Sequence, residues 1–589
     1  MRRTLLALAL LLGTASPVAA QSNDVRVRLY WLQPPESLRL VARPGEARLR
    51  RCSPCQDVPA AESFDIKAVG NQVEVKAASA GKPATWQGQS VEVEGAYRVE
   101  VPGRAALRLP YPLFLRAHHD LLLLTVALPM EDYVAGVLAG ESSGFSSVES
   151  LKAMAVAARS YAARFRGRHQ AEGFDFCDTT HCQDLRLTAM AVRLQEATAA
   201  TEGEMVWYEG EPAATFYHRH CGGTTEAGRF LAPDVRAPYL RQQADGFCVA
   251  RESGEWQSEI SRAELSHALA VADVEAPKSI DSIQVTERTP SGRALRLRLV
   301  GSGSTTVSAS TLRLAVGRAL GWDRIRSDLY DVRTAGGRFI FHGRGHGHGV
   351  GLCQVGAARM GEDRKSYREI LAFYFPGTTV GLTAQGLAWQ ARGSERVELV
   401  STRPAEDEEL LVLAERLLRR AEQRTGWTLE FRPQLRVYPS VAVYRNATGQ
   451  PGWVAASTLG RIVRLQPTAS LRSARTLEGT LEHELLHLLL ESRARPGLPL
   501  WFREGLVLYL AENLPAGGSN GPMRVEELER ILRAPQSQEE LRRGYAAARA
   551  RVEELVKQRG LPVVLGWVER GLPRELLGAA QAPEQRRQN

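Results

Sequence analysis

His483-Glu484-Leu485-Leu486-His487, followed by Trp501-Phe502-Arg503-Glu504-Gly505 beyond a break at Pro496-Gly497-Leu498-Pro499, decides the architecture of the last third of the chain. Histidines four apart on a helix share one face, so both imidazoles reach one point. Glu504, seventeen residues after His487, returns on a second helix toward that point. Two histidines and a carboxylate make three ligands for Zn2+. Three leave the fourth position open, as a catalytic zinc requires and a structural one does not. Glu484, beside the histidines, is then placed to polarise a water at the metal. The bland alternative is an apolar helix carrying two exposed histidines.

Upstream of this pair, Glu408 to Arg424 reads as a charged amphipathic helix. Leu435 to Tyr444 and Trp453 to Leu465 read as strands. A strand pair ahead of the histidine helix would offer an edge on which an extended peptide adds as a further strand. Residues 386 to 405 are mostly polar, with glycine, proline and charge but no period, and read as a linker.

At 589 residues and 44% hydrophobic, the chain is globular with two to four domains. The formal charge is +9, and setting aside Arg2 and Arg3 leaves 9 − 2 = +7, because residues 1 to 20 hold no acid. The arginines are scattered, with no basic block and few interleaved aromatics, which argues against nucleic acid as a partner. Arg2-Arg3, the apolar run Leu5 to Leu12 and the small residues Val18-Ala19-Ala20 have the order of an export signal over 1–20. That run is too short to span a bilayer, and no later stretch reads as a transmembrane segment. The expected location is exported: periplasm, cell envelope or extracellular.

Seven cysteines in an exported chain should be paired or metal-bound. Cys52 and Cys55 are close enough for a local disulfide. Cys177 and Cys182 bracket His181. Cys221 and Cys248 could close a loop, which leaves Cys353 as the odd one. Spacing alone does not settle the pairing.

Between residues 24 and 125 polar and apolar positions alternate, as in Val25-Arg26-Val27-Arg28-Leu29, which is strand periodicity. Helices follow at Met130 to Ala139 and Val148 to about Arg168, the second opened by Ser146-Ser147-Val148-Glu149 with capping-box spacing. Residues 200 to 355 read mostly as strands and turns, and Tyr367 to Tyr374 as a short helix. Strand-rich and helix-rich segments are separated along the chain, so the fold class is α+β and multidomain. Glu141 stands at the end of the first helix, where the helix dipole disfavours a negative charge and raises a carboxyl pKa. That suits a general acid, although an ordinary helix-end acid looks the same. Lys152 and Arg159, two turns apart on the second helix, share a rim that could position an anionic or sugar substrate.

Several stretches together resemble the stage II sporulation protein D / amidase-enhancer family. They are Leu128-Pro129-Met130-Glu131-Asp132-Tyr133-Val134, Glu149 through Tyr161, Cys177-Asp178-Thr179-Thr180-His181-Cys182-Gln183, Phe216-Tyr217-His218 with Cys221-Gly222-Gly223, and Gly347-His348-Gly349-Val350-Gly351-Leu352-Cys353-Gln354. They occur in family order over residues 110–385. The resemblance implies a lytic transglycosylase acting on peptide-stripped peptidoglycan glycan strands. It makes Glu141 the catalytic acid, with Lys152, Arg159, Tyr217, His218 and His348 around it, and implies a zinc site at Cys177, His181 and Cys182. The chain departs from the family at Cys221 and Cys353, where serine is common, and at Gly345-His346.

The last third resembles the gluzincin metallopeptidases, which implies zinc at His483, His487 and Glu504 with Glu484 as base. Tyr509 and Arg503 are the candidates for an oxyanion-stabilising side chain. The expected organisation is a signal over 1–20, a β-rich region over 21–109, the glycan-acting domain over 110–385, a linker over 386–405, a zincin-like α+β domain over 406–577 and a disordered tail over 578–589. Expected partners are peptidoglycan glycan strands, a peptide or protein substrate, and a cell-wall amidase. The alternatives are a non-catalytic amidase enhancer, or a glycan-binding module that anchors a zinc protease to the wall.

Overall fold

The computed structural model describes residues 24–42, 47–52, 55–59, 61–78, 84–188, 190–495, 497–511, 523–533, 535 and 537–576. The signal read at 1–20 and the tail read at 578–589 lie outside the described residues.

The alternation seen in the sequence produces a two-sheet N-terminal region. Strands β1 (Val25–Leu29) and β2 (Leu121–Leu128) pair antiparallel, Val25 opposite Leu128 and Leu29 opposite Leu124. They belong to a seven-stranded sheet, and a six-stranded sheet supplies Leu40, Phe64, Ile66 and Val75 to the same core. The outer strand beside β1 is β3 (Phe176–Cys177), which runs parallel to it. This corrects the boundary placed between 109 and 110. The sheet crosses it, and one hydrophobic core runs from Val25 to Phe375.

Helix α1 (Met130–Glu141) leaves the end of β2 and packs against α2 (Val148–Phe165). Ser147 caps α2, accepting from the Glu149 N–H at 3.2 Å. The stripe Leu151, Met154, Ala155, Ala158, Tyr161 and Ala162 is buried, as its spacing predicts. Beyond α2 come β4 (Tyr217–His218), helix α3 (Gly246–Arg251), β5 (Leu352–Cys353) and α4 (Gln354–Glu362). The short strands β4 and β5 pair parallel, Tyr217 opposite Leu352 and His218 opposite Cys353.

Between them a separate core forms around Trp256, Ile260, Leu297, Leu299, Leu312, Phe339 and Phe341. It contains helices Arg262–Val271 and Ala309–Leu320, which the reading of 200–355 as mostly strands and turns left out. Their apolar stripes are narrow, with Leu265, Ala268 and Leu269 the buried residues of the first.

The C-terminal region has its own core, reaching from Val397 to Val568. Its five-stranded sheet is ordered β6 (Gln390–Gly393), β7 (Glu398–Ser401), β8 (Gln434–Val437), β10 (Ile462–Leu465), β9 (Ala456–Leu459). The expected linker is therefore corrected, because residues 390–393 and 398–401 are strands of this sheet, and Leu399 is fully buried. A short strand with few apolar residues carries too little period to be read as one. The strand expected from Leu435 to Tyr444 also ends early, at Val437, and Ser440 caps a helix over Val441–Thr448. Helix α5 (Glu409–Thr425) and α6 (Leu477–Glu491) pack together, and α7 (Leu500–Leu510) and α8 (Gln538–Arg559) complete the helical layer.

The two regions meet at a buried carboxylate. Glu202, 3% exposed, accepts from the guanidinium of Arg436 and from Arg464 at 3.1 Å, while its backbone carbonyl accepts from Trp389 Nε1 at 2.9 Å. Burial pushes the Glu202 carboxyl up, and the two arginines outweigh it and hold it below the usual range. Among the described residues no helix is long and apolar enough to cross a membrane.

Candidate active site and metal-ligand clusters

Glu141 ends α1 half-buried, with both carboxylate oxygens engaged. Oε1 accepts the Asp184 backbone N–H at 2.9 Å, and Oε2 accepts from Gln354 Nε2 at 3.1 Å. Gly140 makes the first contact possible, since a Cβ there would lie 2.1 Å from the Asp184 carbonyl oxygen. Burial raises the Glu141 pKa, and the two donors only partly offset it. A carboxyl that resists ionisation yet is held by two donors can give a proton and take it back without moving.

The loop carrying Asp184 is itself fixed. Gln183, 1% exposed, accepts from the Tyr133 hydroxyl at 2.8 Å and donates to the Tyr217 hydroxyl oxygen at 2.9 Å. One residue earlier lies a cluster of four donors. His169, Cys177, His181 and Cys182 place one ligand atom each within 4.8 Å of one another. His181 Nδ1 is 3.6 Å from Cys177 Sγ and 3.7 Å from Cys182 Sγ, and His169 Nε2 is 3.5 Å from Cys182 Sγ. The other nitrogen of His169 meets Glu172 at 2.7 Å, the carboxylate–histidine arrangement that orients an imidazole toward a metal. Two thiolates and two imidazoles suit Zn2+. His169 was not among the residues read from the sequence; it sits eight residues before Cys177 with no motif spacing to announce it.

The remaining expected site residues divide. Tyr217 reaches the site through Gln183. His218, in β4, and His348, on the loop before β5, face each other with ring centroids 5.5 Å apart. His218 Nδ1 meets the Val350 carbonyl at 3.1 Å, and burial lowers the His348 pKa to about 3, so that ring is neutral at neutral pH. Among the described residues neither imidazole hydrogen-bonds Glu141. The Glu141 carboxylate is held by the Asp184 N–H and by Gln354 instead.

Lys152 donates to Glu149 Oε1 at 2.7 Å and lies over the Tyr367 ring. Arg159 corrects the shared-rim reading. It is 2% exposed, donates from Nε to Glu131 at 2.8 Å and from Nη1 to the Glu204 carbonyl at 2.9 Å. A guanidinium so placed ties α1 to the turn at Glu204 and cannot grip a substrate.

In the C-terminal region His483, His487 and Glu504 converge as their spacing predicts, His487 Nε2 lying 3.1 Å from His483 Nε2 and 3.3 Å from Glu504 Oε2. Burial holds His483 down at about 3, so it is neutral. Burial would raise Glu504, but His487 outweighs it and leaves the carboxyl at about 2. Burial would lower His487, but Glu504 in turn outweighs it and raises that imidazole to about 9, so without a metal His487 carries the charge and must give up that proton before it ligates. Glu484 is buried and accepts from the Thr458 hydroxyl at 2.6 Å, and Thr458 lies on the edge strand β9. Arg503 instead pairs with Glu491 at 2.8 Å. The aromatic beside the cluster is Tyr545 on α8, half-buried, its ring 6.0 Å from that of His483. Tyr545 lies 41 residues beyond Glu504, too far along the chain for a local pattern to reveal it.

Residues 119–208 match the family described as Stage II sporulation protein. An uncharacterized protein of Brachyspira hyodysenteriae is 31% identical over 265 residues, which is 45% of this chain and 69% of that protein. The chain belongs to the stage II sporulation protein family. Stage II sporulation protein D of Bacillus subtilis is 25% identical over 270 residues, covering 43% of this chain and 74% of that relative. The Amidase enhancer of the same organism is 28% identical over 289 residues, and the match spans 42% of this chain but only 40% of that protein. Residues 236–351, which contain the separate core around Trp256, match a domain of unknown function (DUF8618). Both matched segments end well before His483.

Proposed function

We propose that the chain is an exported cell-wall protein whose family domain is a lytic transglycosylase acting on peptide-stripped peptidoglycan glycan strands, joined to a zinc peptidase module. The observation that carries the first part is the half-buried Glu141 carboxyl, raised by burial and held by Asp184 N–H and Gln354. Protonated Glu141 donates to the glycosidic oxygen as the bond from the anomeric carbon breaks and oxocarbenium character develops. The sugar's own C6 hydroxyl then attacks that carbon, and its proton returns to the Glu141 carboxylate. The nucleophile belongs to the substrate, so a second acid is not required.

For the C-terminal module, Zn2+ held by His483, His487 and Glu504 would supply Lewis-acid polarisation of a peptide carbonyl and of water. Glu484, anchored by Thr458, takes and returns the proton at its carboxylate. The outer edge of β9 accepts an extended peptide by strand addition, which sets the scissile bond beside Glu484. Zn2+ also fits the four donors around Cys177, where it would fix the loop that carries Gln183 and Asp184.

The name of the Bacillus subtilis Amidase enhancer supports a second reading, in which the family domain grips glycan and stimulates a cell-wall amidase without cutting. The burial of Arg159 leaves either reading without that cation at the substrate. Incubating the purified protein with intact and with peptide-stripped glycan strands, followed by mass spectrometry, separates the two. Cleavage of stripped strands alone supports the transglycosylase; no cleavage, with faster release of stem peptides by an added amidase, supports the enhancer.

A further inference from the structure

Cys221, Cys248, Cys353 and Asp245 come together from three distant segments: the loop after β4, the start of α3 and the end of β5. All four are fully buried at 0% exposure, and their ligand atoms lie within 4.8 Å of one another. Cys221 Sγ is 3.1 Å from Cys248 Sγ and 3.3 Å from Asp245 Oδ2. Zn–S bonds of about 2.3 Å in a tetrahedron put neighbouring ligand atoms roughly 3.8 Å apart, so this cluster closes on a metal with side-chain adjustment alone.

Hydrogen-bond donors converge on the cluster. Cys221 N–H points at Cys353 Sγ at 3.3 Å, and Cys248 N–H donates to Asp245 Oδ1 at 3.2 Å. The Tyr374 hydroxyl donates to Asp245 Oδ2 at 2.9 Å. Arg293, itself 3% exposed, donates to the Cys221 carbonyl at 2.6 Å and so brings a buried positive charge alongside. Among the described residues no ion pair involves Asp245; its buried carboxylate takes only hydrogen bonds, and Arg293 reaches the Cys221 carbonyl rather than the carboxylate. Burying such a group is costly unless a cation is present.

We propose that Cys221, Cys248, Cys353 and Asp245 form a closed structural zinc site. Four protein ligands and no solvent access leave no open position, so the site is not catalytic. Its role is to hold Gln354, the residue after Cys353, against Glu141. A disulfide between Cys221 and Cys248 is the competing outcome. It would use two sulfurs and strand the Cys353 thiol and Asp245 in the core. The proposal stands whichever reaction Glu141 serves.

The test uses the full chain. Wild-type protein is denatured in chelator without reductant, alkylated and peptide-mapped. The zinc site predicts that Cys221, Cys248 and Cys353 all carry label. A Cys221–Cys248 disulfide would overturn it. In parallel, the His181→Ala/His483→Ala double variant, which disables the other two donor sets, should retain one zinc per chain by elemental analysis. Cys248→Ser in that background should bring the zinc content to zero. Retention of no zinc by the double variant while its cysteines are reduced and its fold is native by circular dichroism would also overturn the proposal.

Discussion

The Glu141 and His483 sites are both built around a carboxylate, but the chain assembles them differently. The second is nearly local: His483, Glu484 and His487 ride on α6, and Glu504 returns on α7, the next helix. The first is assembled from the end of α1, the loop at Gln183 and Asp184, and the start of α4 at Gln354, with Glu141 and Gln354 213 positions apart in the chain. Their electrostatics differ as well. Burial dominates at Glu141 and raises its pKa, whereas at Glu504 the neighbouring His487 outweighs burial and holds the carboxyl ionised at about 2. Burial pushes one carboxyl toward its neutral form, and a neighbouring imidazole holds the other ionised.

The comparison breaks most sharply at the acid itself. Glu141→Gln should cut glycan cleavage by on the order of 10²–10⁴-fold with the thermal transition unchanged, since the amide oxygen still accepts the Asp184 N–H and a turned Gln354 amide accepts from its NH2, but the amide cannot donate and recover a proton. Glu484→Ala should remove peptidase activity to a similar degree while leaving zinc content and glycan cleavage intact, as followed by peptide hydrolysis and elemental analysis. Loss of both activities in a folded Glu484→Ala protein would show that the sites are coupled.

The contact between the regions gives the next effect. Glu202→Ala leaves Arg436 and Arg464 buried without their anion, and should destabilise the chain by about 3–5 kcal/mol in denaturant titration. Glu202 has a depressed folded pKa, so its stabilisation is full above the ordinary glutamate value of about 4.3 and is lost as pH falls through the lower folded value. Wild type should therefore lose stability in that acid window more steeply than the variant does. Equal slopes would mean the interface charge contributes nothing.

The smallest effect sharpens the electrostatic half of the comparison. Gln354 donates to the ionised form of Glu141, so Gln354→Ala should raise the Glu141 pKa further. The alkaline limb of the pH–rate profile for glycan cleavage should then move upward, with a loss of roughly tenfold at the optimum for one missing hydrogen bond. A limb that stays in place would assign Gln354 to packing alone.

What the sequence disclosed follows the same division. The i, i+4 histidines and the returning Glu504 were legible because helix geometry fixes their faces from spacing alone. Glu141 was legible as the acid at a helix end, but its donors were not, because nothing in the order of residues says that Asp184 N–H and Gln354 arrive there. Lys152 and Arg159 share a helix face by spacing, yet spacing does not report that Glu131 draws Arg159 inward. His169 and Tyr545 were missed for the same reason: each reaches its cluster through tertiary contact rather than local pattern. The strands at 390–393 and 398–401 hid in a segment whose polar composition looks like a linker, and only pairing with β8 makes them part of a sheet.

The most direct test of the account is a digestion of peptide-stripped glycan strands by wild type and by Glu141→Gln, with the products weighed by mass spectrometry. The account predicts anhydro-sugar ends from wild type and none from the variant. Wild-type protein that yields no such ends, or a Glu141→Gln protein that still yields them, would contradict it.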